Sequence, residues 1–290
     1  MPNLKEIRAR INSVASTEKI TSAMKMVSAA KLKKSEGITT SFLPYRNKLN
    51  EALANYLGSL EGEVTIPLAE RREVKRIALM VITSSSGLCG VYNSSVIKLF
   101  KKTYDEYTER LGTDAIDVYL FGKKVKEYAQ RVGIGITKTY ESLSDHLSFE
   151  LAMEISDGMA NQFLEKKIDA VVLIYNHFKN SGVQVPTSET VLPLETKVEA
   201  TGTTFDYLVE PSKEEFINKL VPKVIRTKFY SIMLDASTAE HGARMTAMHI
   251  ASDNANTLLQ ELKTQYNKAR QNVITTELID IVGGAEALNR

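Results

Sequence analysis

Apolar residues near both ends of the chain recur at helical spacing. At the start, the residues Leu4, Ile7, Ile11 and Val14 lie three or four positions apart, and Asn3 and Glu6 have the spacing of a capping box. This stripe predicts a first helix that continues through Leu32. We expect a bend near Gly37 and Pro44, because both residues weaken a helix, and an end near Gly58.

A second apolar stripe occupies the last part of the chain. Leu258, Leu262, Tyr266, Ala269 and Val273 alternate by four and three positions. Ser212 and Glu215 form a capping box that predicts where this helix begins, and Gly283 with Gly284 predicts its end. Pro222 and a second cap at Ser237 and Glu240 indicate that its first half is two pieces.

Between the two stripes the period changes to that of strands alternating with helices. Buried strands are predicted at 74–83, 115–121, 134–138 and 169–176, and helices at 93–111, 123–131 and 149–165. Val183–Leu194 is predicted to be an edge strand, because Pro186 and Pro193 cannot donate to a ladder on both sides. This alternation is typical of a mostly parallel sheet covered on both faces.

These patterns predict an α/β fold class with two parts. Helices at 1–58 and 212–290 form a long antiparallel coiled coil, because each needs a partner for its apolar stripe. Residues 74–200 form a central Rossmann-like α/β domain inserted between them.

Charge is unevenly distributed over a chain whose net charge is only +2. Residues 1–59 hold ten Lys and Arg against four Asp and Glu, which suggests an acidic partner for this segment. The basic residues lack interleaved aromatics, so nucleic acid is not expected as a partner. The apolar runs are too short to span a bilayer, and membrane association is expected only through partners.

Three places could carry chemistry. The turn Thr83–Asn93 follows a strand and precedes a helix, as a phosphate loop would, but it lacks the lysine and glycine spacing of one, which favours a tight turn. The single cysteine, Cys89, lies in this turn and is interpreted as a buried apolar residue. His177 ends a strand without a recognisable acidic partner. The segment Met24, Lys25 and Met26 fits either a tight helix crossing or a surface over which another protein slides.

Three motifs carry a resemblance that covers essentially the whole chain. They are K-E-I-R-A-R-I-N-S-V from Lys5 with T-E-K-I-T-S-A-M-K-M-V-S-A-A-K-L from Thr17, S-G-L-C-G-V-Y-N from Ser86, and a C-terminal set. That set consists of A-R-M-T-A-M from Ala243, S-D-N-A from Ser252 and Y-N-K-A-R-Q-N-V-I-T-T-E-L-I-D-I-V-G-G-A from Tyr266. With these motifs the chain resembles the gamma subunits of the F-type rotary ATP synthases.

The resemblance implies a noncatalytic central-stalk rotor that couples ion flow through a membrane ring to ATP synthesis or hydrolysis in a catalytic ring. It implies contacts with the alpha and beta subunits of that ring through Met24, Lys25, Met26, Arg270, Gln271, Thr275 and Glu277. It implies contacts with the membrane ring of c subunits through Phe205, Tyr207 and Glu210, and an epsilon subunit as a further partner. No catalytic residue, cofactor or metal is expected, and the location implied is peripheral, on the cytoplasmic face of the bacterial inner membrane.

Two features depart from the family pattern. Ser85 and Ser86 stand where the family has an aspartate and then a basic residue, which removes the charges for a salt bridge from this turn. The cysteine-bearing insert of chloroplast relatives is missing, and a lone Cys89 cannot form a redox switch. The alternative hypothesis is an α/β nucleotide- or metabolite-binding enzyme with a helical oligomerisation arm.

Overall fold

The computed structural model describes residues 4–59, 66–140, 147–195 and 212–288. In chain order, the helices are α1 (Leu4–Ser59), α2 (Tyr92–Leu111), α3 (Lys123–Val132), α4 (Phe149–Leu164) and α5 (Lys213–Leu288). The strands are β1 (Ile77–Ile82), β2 (Ile116–Phe121), β3 (Lys138–Tyr140), β4 (Ala170–Asn180) and β5 (Val183–Leu192). Short 3-10 turns lie at Pro67–Ala69 and Thr113–Ala115.

The chain divides into two compact units. We call residues 1–28 with 245–290 the helical unit, and residues 29–244 the α/β unit. Helices α1 and α5 each supply residues to both units.

The sheet of the α/β unit has the strand order β3-β2-β1-β4-β5. β1, β2, β3 and β4 are mutually parallel, and β5 pairs antiparallel with β4 at the edge, as predicted. All six residues of β1 are buried, which is why its sequence is an unbroken apolar run. β3 begins at Lys138, later than predicted, and Ile134 and Ile136 before it are partly buried against the core on the α2 and α3 side of the sheet.

Helices cover both faces of this sheet. One face packs against α2 and α3 through residues such as Val96, Phe100 and Val125. The other face packs against α4 and against the parts of α1 and α5 that belong to the α/β unit, through Leu53, Phe163 and Phe229. The terminal helices therefore complete the core of the α/β unit.

The two terminal helices run antiparallel in the α/β unit. The rings of Phe42 and Tyr230 are 5.0 Å apart, and those of Tyr56 and Phe216 are 4.8 Å apart, so partner numbers fall on α5 as they rise on α1. In the helical unit the hydroxyl oxygens of Thr21 and Ser252 are 2.8 Å apart. The predicted fold class is confirmed.

The first helix ends close to its predicted end near Gly58, whereas the last helix is longer and more continuous than the sequence suggested. α1 continues through Gly37 and Pro44 to Ser59, and the bend there remains a prediction. α5 starts after Ser212, whose hydroxyl accepts the Glu215 backbone N–H at 3.2 Å as the capping box predicts. The predicted cap at Ser237 and Glu240 is wrong, since both are buried within the helix and Glu240 instead pairs with Arg244.

The predicted end of the last helix is also wrong. Gly283 and Gly284 lie inside α5, which continues to Leu288, because the good helix formers Ala285, Ala287 and Leu288 follow them. The predicted cap Asn3 lies outside the described residues.

Candidate functional site

The first predicted contact segment lies on α1 in the helical unit. Met24 and Lys25 are half-buried, whereas the side chain of Met26 is exposed, as are those of Ile20 and Val27. Ser28, one turn from Met24, is only 4 % exposed. The segment thus has a small-residue side that packs and an apolar side that faces outward, so it combines features of both sequence-based interpretations.

The second segment lies on the C-terminal part of α5 in the same unit. Arg270, Gln271, Thr275 and Glu277 are all exposed, and the Thr275 hydroxyl donates to the Gln271 carbonyl one turn earlier at 2.9 Å. Every residue from 270 to 285 is exposed, including six large apolar ones: Val273, Ile274, Leu278, Ile279, Ile281 and Val282. A helix this apolar and this exposed is typical of a surface that another protein covers.

The third predicted contact set is not placed. Phe205, Tyr207 and Glu210 lie outside the residues that the structure describes.

The turn after β1 is docked on α5 inside the α/β unit. Cys89 is 2 % exposed and packs with Tyr92, Ala239 and Ala243, as its interpretation as a buried apolar residue predicts. The Tyr92 hydroxyl donates to the Ala236 carbonyl at 2.9 Å. Desolvation raises the pKa of Tyr92 well above its ordinary value, so the phenol stays a neutral donor.

Two backbone N–H groups at the ends of the turn are hydrogen-bonded within it. The Asn93 side-chain oxygen accepts the Ser84 backbone N–H at 3.0 Å, and the Tyr92 N–H donates to the Cys89 carbonyl at 3.2 Å. These contacts agree with a tight turn rather than a phosphate loop. Leu88 at its tip has a φ of +62° and is 65 % exposed.

A hydrogen bond joins this turn to α5 at one of the two positions that depart from the family pattern. The Arg244 guanidinium donates to the Ser86 hydroxyl at 2.8 Å and also pairs with Glu240 at 2.7 Å. The serine therefore keeps a contact between turn and helix without a charge of its own.

Sequence reasoning missed the partner of His177. Its Nδ1 lies 2.6 Å from Oδ2 of Asp235, while Oδ1 of the same carboxylate accepts the Phe178 N–H at 3.0 Å. Burial raises the pKa of Asp235, and the hydrogen bonds from His177 and Phe178 act in the opposite direction. The two residues are 58 positions apart, so only the packing of α5 on β4 brings them together.

The described residues contain no group of three or more His, Cys, Asp or Glu side chains placed to hold a metal ion. None of the described helices has an apolar stretch long enough to cross a bilayer.

Comparison with known proteins identifies the class of the chain. Residues 3–288 match the family model described as ATP synthase, which places the chain among ATP synthase subunits. An ATP synthase gamma chain of Flavobacterium johnsoniae is 48 % identical over the full length of both chains. The chain belongs to the ATP synthase gamma chain family.

Solved structures of similar proteins share this fold. A chain in a structure of the Tetrahymena thermophila mitochondrial ATP synthase central stalk and c-ring is 26 % identical, with a TM-score of 0.61, over 80 % of this chain and 99 % of that one. A chain from the Euglena gracilis mitochondrial ATP synthase has a TM-score of 0.66 over 98 % of this chain and 94 % of that one, at 18 % identity. The match over the full length disfavours the hypothesis of an independent α/β enzyme.

Proposed function

We propose that this chain is the central-stalk rotor subunit of an ATP synthase. Driven by ion flow through a membrane ring, it turns inside a catalytic ring and couples that flow to ATP synthesis, or runs in reverse during hydrolysis. The observation that carries the proposal is the exposed apolar end of α5, residues 270–285, in a chain of the gamma family. Such an exposed apolar surface is typical of a site that another protein covers.

The chain acts in this complex without catalysing a reaction itself. Nucleotide chemistry belongs to the alpha and beta subunits of the ring. The turn after β1 supports this assignment, because two of its backbone N–H groups bond within the turn and its sequence lacks the lysine and the glycine spacing of a phosphate loop.

The catalytic ring contacts the helical unit at two places. Lys25 and the methionines beside it meet an acidic loop of the catalytic subunit, in keeping with the basic balance of residues 1–59. Arg270, Gln271, Thr275 and Glu277 offer polar groups that alternate with the exposed apolar residues of α5, so one helix presents both kinds of contact.

The remaining partners join the chain to the membrane. Phe205, Tyr207 and Glu210 contact the ring of c subunits, and the epsilon subunit binds beside them. The chain is held at the cytoplasmic face of the bacterial inner membrane through these partners.

Copy number tests this role. Native mass spectrometry of the purified assembly is expected to find one copy of this chain for each ring of three catalytic subunits, because the centre of a ring holds a single central stalk. Three copies would contradict a central stalk.

Truncation after Asn267 tests the exposed end of α5 separately. The shortened chain is expected to assemble poorly or to couple weakly, because it lacks the exposed surface of α5 that contacts the ring in this proposal. A truncated chain that assembles and couples fully would contradict the assignment of residues 270–285 to the ring contact.

A further inference from the structure

A cavity of about 970 Å³ lies within the α/β unit. It follows α1 from Glu36 to Leu57, and its other walls come from α5 and from the strands β4 and β5. This volume is in the range of pockets that hold small organic ligands. Neither the rotor role nor the contact segments above make use of it.

The lining of the cavity is amphipathic. The C-terminal part of its α1 wall and the facing residues are apolar, and they comprise Leu53, Ala54, Leu57, Leu194 and Val224. Arg46 lies on the same helix eleven positions before Leu57, about 17 Å away at 1.5 Å per residue. A ligand that fills this stretch is therefore elongated, with an apolar body and a polar end near Arg46.

The carboxylates deep in the cavity already have partners. Glu189 pairs with Lys228 at 3.1 Å and accepts the Tyr175 hydroxyl, and Asp235 is held by His177. Glu36 and Glu195 are exposed, and Glu36 lies about 15 Å from Arg46 along α1, beyond the screening length at physiological salt.

Arg46 forms no ion pair with these carboxylates, although its charge acts from a distance to lower the pKa of Asp235. Its Nη1 donates to the Ser231 hydroxyl at 2.7 Å and its Nη2 contacts the Asn47 side-chain oxygen at 3.5 Å, and both partners are neutral. No carboxylate oxygen of a described residue lies within ion-pair distance of its guanidinium. A guanidinium with free N–H groups in a partly buried site is a strong receptor for a carboxylate.

We propose that this cavity binds a single-chain fatty acid about as long as dodecanoate. The carboxylate lies against the Nη groups of Arg46, and the chain extends along α1 over Leu53 and Leu57 toward Leu194. Because α1, α5 and the sheet all line the cavity, bound fatty acid ties the terminal helices to the sheet of the α/β unit.

Calorimetric titration of the purified full-length chain with dodecanoate, below its micellar concentration, tests the proposal. One saturable site is expected. Arg46→Gln should weaken binding about tenfold or more, since a charge-assisted hydrogen bond is lost, while Arg46→Lys should retain part of the affinity. Lys48→Gln is the matched control, because Lys48 is exposed on the same helix and pairs with Glu51.

Three further ligands separate the alternatives. Hexanoate should bind more weakly, because it leaves the apolar end empty, and dodecylammonium should bind more weakly than dodecanoate. Tighter binding of dodecylammonium would overturn the proposal, because the exposed carboxylates of Glu36 and Glu195 would then bind the charged end of the ligand. Binding of phosphatidylglycerol vesicles alone would overturn it in favour of a membrane lipid.

A variant that fails to bind dodecanoate because it misfolds can be distinguished from one that folds but has lost the binding site. Circular dichroism melting of each variant shows whether it folds. No saturable binding by the wild-type chain, or equal affinities of the folded Arg46→Gln and Lys48→Gln variants, would contradict the proposal.

Discussion

At the scale of single residues, Asp169 joins three parts of the α/β unit. Its carboxylate accepts the backbone N–H groups of Lys75 and Arg76 at 2.9 Å and pairs with Arg72 at 2.5 Å. The Arg72 guanidinium also lies 4.4 Å from the centre of the Phe163 ring. Burial by itself would raise the pKa of Asp169, but these hydrogen bonds outweigh it and the pKa lies below its ordinary value.

Asp169→Asn is expected to cost about 3 kcal/mol of unfolding free energy at pH 7, because it leaves Arg72 half-buried and unpaired. Because the pKa of Asp169 is lower in the folded chain than in the unfolded chain, its ionised carboxylate stabilises the fold fully above the unfolded pKa of about 3.9. This stabilisation is lost as the pH falls through the folded-state pKa. The difference from wild type, measured by urea unfolding, should therefore shrink below about pH 4. Asp105→Asn on α2, where the carboxylate is exposed, is the control. If Asp169→Asn lowered the unfolding free energy equally at pH 7 and pH 3, the ion pair with Arg72 would be contradicted.

Gly242 marks the close approach of α5 to the end of β4. A Cβ at this position would lie 2.9 Å from Cε2 of Phe178, whereas a Cβ at Gly158 on α4 would meet nothing within 4 Å. Gly242→Ala should destabilise the chain by about 1–3 kcal/mol through overpacking, and Gly158→Ala should stabilise it by up to about 1 kcal/mol. Thermal unfolding of both variants checks this, and a stabilising Gly242→Ala would mean that Phe178 moves aside freely.

Residue-level contacts were the least predictable feature of this chain. The burial of Cys89 followed from its place in a turn between a buried strand and a helix. The pairing of His177 with Asp235 could not be predicted in this way, because no local spacing reveals which residue of a distant helix will lie beside the end of a strand. Arg46 gave no sequence signal either, since an arginine on an amphipathic helix is most often solvated.

At the scale of elements, strands were predicted better than helix ends. β1 is apolar throughout, β2 and β4 contain apolar runs of four and six residues, and Pro186 correctly indicated that β5 is an edge strand. Helix ends were misjudged where glycines and apparent caps stood inside long helices. Tertiary packing buries Ser237 and Glu240 within α5, and this packing outweighs their local capping preference.

The two glycines near the end of α5 provide a test at this scale. They lie in an exposed helix, and an added Cβ would meet nothing within 4 Å at either position. Replacing both by alanine should slow amide hydrogen exchange in residues 278–285, because each glycine costs the helix about 1 kcal/mol. Ala269→Gly should have the opposite effect on its own turn, and unchanged exchange in the double variant would indicate that this segment is not helical in solution.

At the scale of the whole molecule, the function was predictable because three motifs span the chain in family order. The fold class followed from two helical stripes that flank alternating strands and helices. The register of the terminal helices did not follow, since the stripes show that α1 and α5 need partners without showing which turns meet, as Phe42 and Tyr230 do.

Substitutions of Lys25 test the proposed contact between this chain and the catalytic ring. In the assembled enzyme, Lys25→Glu should reduce coupling of ATP hydrolysis to ion pumping more than Lys25→Ala, because it would turn attraction to the proposed acidic loop into repulsion. Lys98→Glu on α2, an exposed reversal of charge in the α/β unit, is the control. Equal effects of the two Lys25 variants on pumping would argue that charge is irrelevant at this contact.

Direct observation of rotation tests the central claim. The chain has one cysteine, Cys89, which is buried, so Lys101→Cys on the exposed side of α2 offers a single site for labelling the isolated chain before assembly. With the catalytic ring fixed to a surface and ATP supplied, a bead attached at this site should rotate continuously in one direction. A bead that stays fixed while the same complexes hydrolyse ATP would contradict the rotor role.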